Sequence, residues 1–86
     1  MKLSMLLDDI TYEILNSLRT REYYVRELIS ELKRNPNAII KRLRILEEHG
    51  IIKSVVEEKR RRRKVMFLTE KGYKILAMID EIEKIY

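Results

Sequence analysis

Eighty-six residues, 45% hydrophobic and 38% charged with two Gly and one Pro, describe one small, ordered and mainly helical domain spanning residues 1–86, near the lower limit of what one hydrophobic core supports. The absence of cysteine excludes disulfides and thiolate-ligated metal, and a single histidine falls well short of the roughly four ligands of a zinc site, so no cofactor is expected. The net charge of +5 is concentrated in the middle: Arg34 to Lys64 carries eleven Lys/Arg against four Glu, or +7, leaving −2 for the remainder.

A basic centre between weakly acidic flanks is the footprint of a face that binds a polyanion, nucleic acid first among them. No run reaches the roughly 20 apolar residues needed to cross a bilayer. Met1 to Leu7 is too short for a signal peptide. These features predict an intracellular, cytoplasmic protein with no membrane association.

Leu7, Ile10, Ile14, Leu15 and Leu18 recur at helical spacing and predict an amphipathic helix over Ser4–Arg19, capped by Ser4 or Asp8. Thr20–Tyr24 breaks the period, and Tyr23-Tyr24 suits a brief extended segment. Val25–Lys33 resumes helical spacing with Val25, Leu28, Ile29 and Leu32 inward. After the tight connection Lys33-Arg34-Asn35 comes a helix whose two ends are chemically marked. Asn35 is a good N-cap, Pro36 suits the first helical position, and Gly50 can take the left-handed conformation that stops a helix. Ile39, Leu43 and Leu46 should face a core with Ile40 and Ile45 flanking, while Lys41, Arg42 and Arg44 fall largely around the opposite side.

Beyond Gly50 the pattern turns extended. Ile51–Glu57 and Lys64–Leu68 read as two strands, and the intervening Glu58–Arg63, without Gly, Asn, Asp or Pro, predicts a longer mobile loop in place of a tight turn. Thr69 caps a last helix from Glu70 to about Ile85, in which Gly72 is a local weakness. Tyr73, Leu76 and Ile79 should pack on the domain. Ile75, Met78, Ile82 and Ile85 form a second apolar row, whose simplest use is a helix of a second copy in a two-fold dimer. The competing use is to cover the chain's own N-terminal segment around Leu3 and Leu6.

The order helix, helix, helix, strand, strand, helix resembles the winged helix-turn-helix of the MarR and ArsR type of prokaryotic transcription regulators, an α+β fold, mainly α with a small β-hairpin. The resemblance runs from about Tyr24 to Gly72. It is carried by V-R-E-L-I-S-E-L (Val25 to Leu32), A-I-I-K-R-L-R-I-L-E-E-H-G-I-I (Ala38 to Ile52) and F-L-T-E-K-G (Phe67 to Gly72). It implies a homodimer on double-stranded DNA, with the recognition helix 36–49 in the major groove and the basic wing 58–64 on the backbone or minor groove. By position, Asn37, Ala38, Lys41 and Arg42 would face bases, with Arg42 suited to guanine. Arg34 and Arg44 would complete the set on the helical side, with Arg44 beside phosphates, and Arg60, Arg61, Arg62, Arg63 and Lys64 would form the wing. Ile40 could touch a thymine methyl group or enlarge the core contact, and the core is favoured.

Two departures from the pattern stand out. Lys33-Arg34 occupies a turn where these families often carry glycine. The cysteine pairs and histidine clusters of metal-sensing ArsR members are absent, so no dedicated small-molecule or metal effector is expected. His49, in the last helical turn, suits the negative end of the helix. No nucleophile–base pair or glycine-rich phosphate loop is present, so an enzyme is not expected. Besides a sequence-specific regulator, the same features fit an architectural chromatin protein with little sequence preference, or a winged-helix module that binds an acidic protein.

Overall fold

The computed structural model describes residues 3–60 and 63–86. Five helices and three strands follow in the order α1 (Leu3–Leu6), α2 (Asp9–Thr20), β1 (Tyr23–Tyr24), α3 (Val25–Leu32), α4 (Pro36–Glu48), β2 (Ile52–Glu57), a 3₁₀ turn (Glu58–Arg60), β3 (Arg63–Leu68) and α5 (Glu70–Ile85). The helix expected over Ser4–Arg19 is thus two. Asp8 breaks it: its backbone is extended (φ −68°, ψ 140°) and its carboxylate accepts the N–H of Thr11 at 3.2 Å, the geometry of an N-cap.

The ends of α4 follow from its own residues. Asn35 Oδ1 accepts the N–H groups of Asn37 at 2.8 Å and Ala38 at 3.2 Å. At the other end Gly50 has φ +69°, its N–H donates to the Glu47 carbonyl at 3.0 Å, and the N–H of Ile51 reaches back to that of Leu46 at 2.9 Å. This pair of bonds is a Schellman closure. The turn before α4 is made without glycine, because Lys33 itself adopts the left-handed conformation (φ 52°, ψ 36°).

The sheet is antiparallel in the order β1-β3-β2, running from Ile52 opposite Leu68 to Glu57 opposite Arg63, with Tyr23 opposite Met66 on the other edge of β3. The connection expected to be a long loop begins as a 3₁₀ turn, and its Arg61 and Arg62, with the side chain of Arg60, lie outside the described residues. One core joins all layers: Ile14, Leu15 and Leu18 of α2, Leu28 of α3, Ile39, Leu43 and Leu46 of α4, Ile52, Met66 and Leu68 of the sheet, and Leu76 and Ile79 of α5.

Helix α5 sits so close to the start of the wing that a Cβ on Gly72 would stand 2.3 Å from the Ile51 carbonyl oxygen and 2.9 Å from Leu68 Cδ2. Gly72 is therefore a contact point and not the weakness its helix propensity suggests. Thr69 completes the joint. Its N–H donates to the Ile51 carbonyl at 3.1 Å, its hydroxyl lies 2.6 Å from the Gly50 carbonyl and 3.0 Å from that of Ile51, and it accepts the N–H of Gly72 at 3.1 Å.

The line Gly72, Leu76, Ile79 defines the inward face of α5. Tyr73, expected to pack on the domain, is about 100° off that line and half exposed, and Ile75 packs partly against the core. Met78, Ile82 and Ile85 remain 70%, 47% and 89% exposed. Among the described residues no helix is long and apolar enough to cross a membrane.

Candidate nucleic-acid interface

At about 100° per residue, the positions of α4 opposite Ile39, Leu43 and Leu46 are Asn37, Lys41, Arg44 and Glu48, and all four are exposed. Ala38 lies on one flank, half-buried. Arg42 lies on the same flank, about 60° from the buried line. Its Nε donates to Asp8 Oδ2 at 2.6 Å and its Nη1 to the Ala38 carbonyl at 3.2 Å, leaving the side chain 21% exposed. The expectation that Arg42 falls around the outer side is corrected: one step of the helical wheel separates it from Lys41 and turns it toward α2. The Arg42 guanidinium, helped by the Thr11 N–H and opposed by partial burial, holds the Asp8 carboxyl below its usual range.

Arg34, in the turn before α4, forks onto Glu13 of α2, with Nε at 3.3 Å from Oε1 and Nη2 at 2.5 Å from Oε2. The ion pair ties the turn to α2 while the guanidinium stays at the surface.

Ile40 is not a core residue. It is 39% exposed and lines a shallow recess with Val25, Arg44, Glu47, Lys64 and Met66, where α3, α4 and β3 meet. Arg44 of the helix and Lys64 of the wing thus border one concavity with an apolar floor. A neighbouring recess of about 450 Å³ is lined by Tyr24, Val25, Arg26, Ile29, Arg63 and Lys64. Tyr24 braces this side: its hydroxyl donates to Glu57 Oε2 at 2.7 Å, and the Arg63 guanidinium lies 5.6 Å from its ring centre. Arg63 and Lys64 are exposed, and Arg60 to Arg62 extend the same basic run in sequence.

Arg26 is absent from the set read from the sequence. It reaches this face because Tyr23 and Tyr24 pair with β3, which sets the start of α3 beside the wing. Only a long-range strand pairing brings them together, so no local pattern could have signalled it. The end of α4 also differs from the expectation that His49 complements it. The cation at its carbonyls is Lys71 of α5, whose Nζ donates to the His49 carbonyl at 2.8 Å, while the His49 side chain is exposed. Among the described residues no group of three or more His, Cys, Asp or Glu is placed to hold a metal ion.

Two short helices joined by a tight turn, the second basic on its outer side, with a basic hairpin beside it and a long helix behind, define a winged helix-turn-helix regulator. Residues 8–54 match the model of the bacterial regulatory protein arsR family, and the chain belongs to that family. Its members are transcription regulators and not enzymes. No curated protein sequence matches the chain.

Solved structures give the same fold. Diamide-treated YodB from B. subtilis superposes with a TM-score of 0.88 at 22% identity, over 94% of this chain and 81% of that one. Lactococcus lactis ZitR, in a mutant form, gives 0.78 at 25% identity, over 90% of this chain and 53% of that one, so the chain spans about half its length. A mutant of S. aureus MepR bound to an oligodeoxyribonucleotide gives 0.76 at 23% identity, over 94% and 67%.

Proposed function

We propose that the chain is one domain acting as a sequence-specific, double-stranded-DNA-binding transcription regulator in the form of a homodimer, with α4 in the major groove and the wing on the backbone or minor groove. The observation that carries this reading is the shared border of Arg44 and Lys64 on one concave face, beside the exposed Asn37 and Lys41. A helix surface and a hairpin offering cations to one side suit a duplex better than a small anion or a flat acidic protein. MepR, which shares the fold, is itself seen on DNA.

The homodimer rests on α5, where Met78, Ile82 and Ile85 are exposed and where Ile75, Met78 and Ile82 border an apolar groove of about 330 Å³ with Leu6 and Leu7. The proposal places the protein in the cytoplasm on chromosomal DNA and includes no dedicated effector, since the chain lacks the cysteines of metal-sensing relatives.

The test is a duplex selected from a random library, titrated by fluorescence anisotropy. Affinity should fall steeply with salt, with about 6 to 10 phosphates neutralised per dimer. The selected duplex should be preferred over random duplex by about 10³-fold. Binding indifferent to salt sinks the reading. Binding that is salt-dependent but equal for all sequences selects the architectural alternative, which the tethering of Arg42 favours by leaving fewer side chains for bases.

A further inference from the structure

Of the three cations on α4, Lys41 and Arg44 are exposed and Arg42 is held inside the protein's own contacts. Two bonds fix its guanidinium, one to Asp8 in the segment before α2 and one to the Ala38 carbonyl a turn earlier in its own helix. Asp8 is committed as well, because the carboxylate that receives Arg42 also caps α2 through Thr11. One carboxylate therefore joins the start of α2 to the middle of α4.

We propose that Arg42 is a positioning residue that contacts no base or phosphate. With Asp8 it sets the rotation of α4 about its axis, so that Asn37, Lys41 and Arg44 face the groove. This rests on the reading above that α4 faces DNA. Swinging Arg42 out to a phosphate would break a short charge-assisted bond and leave a half-buried carboxylate unpaired beside the polyanion, two costs that a phosphate contact by one more surface arginine does not offset. The position on the helix argues the same way, since Arg42 lies nearer the buried line than the outer one.

The test compares wild type, Asp8→Asn, Arg42→Gln, Arg42→Lys and the Asp8→Asn/Arg42→Gln double variant on one selected duplex and on single-base-pair variants of it, across a salt series. Asp8→Asn and Arg42→Gln should each weaken binding to all duplexes alike, by roughly fivefold or more, without changing the salt slope. The double variant should be no weaker than the poorer single. Arg42→Lys keeps the charge and the fold, yet should also bind less tightly, because an ammonium does not span Asp8 and the Ala38 carbonyl with a fixed fork.

The proposal is overturned if Arg42→Gln lowers the salt slope by about one, the mark of a phosphate contact, or relaxes preference at one base pair, the mark of base reading. It is equally overturned if Arg42→Lys restores wild-type affinity, if Asp8→Asn tightens binding, or if the two losses simply add. Wild-type protein that binds no duplex ends the proposed function and leaves the pair to be judged by urea unfolding of the same variants. Coupled midpoints then support the pair, and additive ones overturn it.

Discussion

Asp8 and Arg42 stand 34 positions apart in sequence, with Arg42 Nε 2.6 Å from Asp8 Oδ2, and the acid of the pair ties this contact to pH. Its carboxyl is held below the usual range by Arg42 first and by the Thr11 N–H, with burial opposing. The charged groups around it are Arg42 of α4, Lys41 of α4 in the same recess, Arg34 in the turn before α4, and Asp9 at the start of α2. A depressed folded-state value means that the stabilisation is complete above about pH 4, where the unfolded chain ionises, and is lost as pH falls through the lower folded value. Asp8→Asn keeps the cap and loses the charge. It should lower stability by about 1 kcal/mol at neutral pH, and the gap to wild type should close in acid. Urea midpoints for both proteins between neutrality and pH 2 check this, and a gap unchanged at the acid end contradicts it.

Gly72→Ala should destabilise the domain by about 1 to 3 kcal/mol, because the new methyl would meet the backbone oxygen of Ile51. Helix propensity alone forecasts a gain of about 1 kcal/mol for the same change, so the sign of the shift in thermal midpoint decides between close packing and intrinsic preference.

Lys33→Gly should do the reverse. The residue holds φ 52° with a Cβ present, a strain of about 1 kcal/mol that glycine relieves, less the extra freedom glycine gives the unfolded chain. The expected net gain is at most a few tenths of a kcal/mol, roughly 0 to 0.6. Lys33→Val should lose stability instead, and chemical denaturation of both variants measures the contrast.

Ile82→Glu places a charge in the exposed row of α5 and should give a folded monomer in analytical ultracentrifugation, with the circular dichroism spectrum of wild type. A variant that still sediments as a dimer removes α5 from the interface. The residue is 47% exposed in the single chain, so loss of folding is not the expected outcome.

Lys64→Ala and Arg34→Ala should separate cations that meet phosphate from those spent inside the protein. Lys64 is exposed at the border of the wing recess and its loss should lower the salt slope by about one. Arg34 is engaged by Glu13, and its loss should change the slope by much less. Equal slopes for the two variants would show that the Glu13 contact yields to DNA.

The elements legible in the sequence are those whose chemistry is local. Asn35, Pro36 and Gly50 bound α4 with their own backbone preferences, and the β-branched residues from Ile51 to Val56 mark the wing because such side chains suit a pleated surface. What escaped depends on partners far along the chain. Ser4 and Asp8 are equally plausible caps until Arg42 arrives to hold one of them. Gly72 looks weak until Ile51 is beside it, and Arg26 looks like any solvated cation until β1 pairs with β3. Ile40 and Tyr73 fail for another reason: an apolar side chain on the flank of a small domain has no layer left to cover it.

The joint of Thr69, Gly72 and Ile51 also acts as a hinge without play. Helix α5 extends about 24 Å at 1.5 Å per residue, and it is pinned at its first turn to the very carbonyl from which the wing departs. In a dimer held along α5, a rotation of a few degrees between the two helices would therefore be delivered whole to the two wings. Under the proposed dimer, the stiffness of that one turn would set the span between the half-sites that the protein accepts.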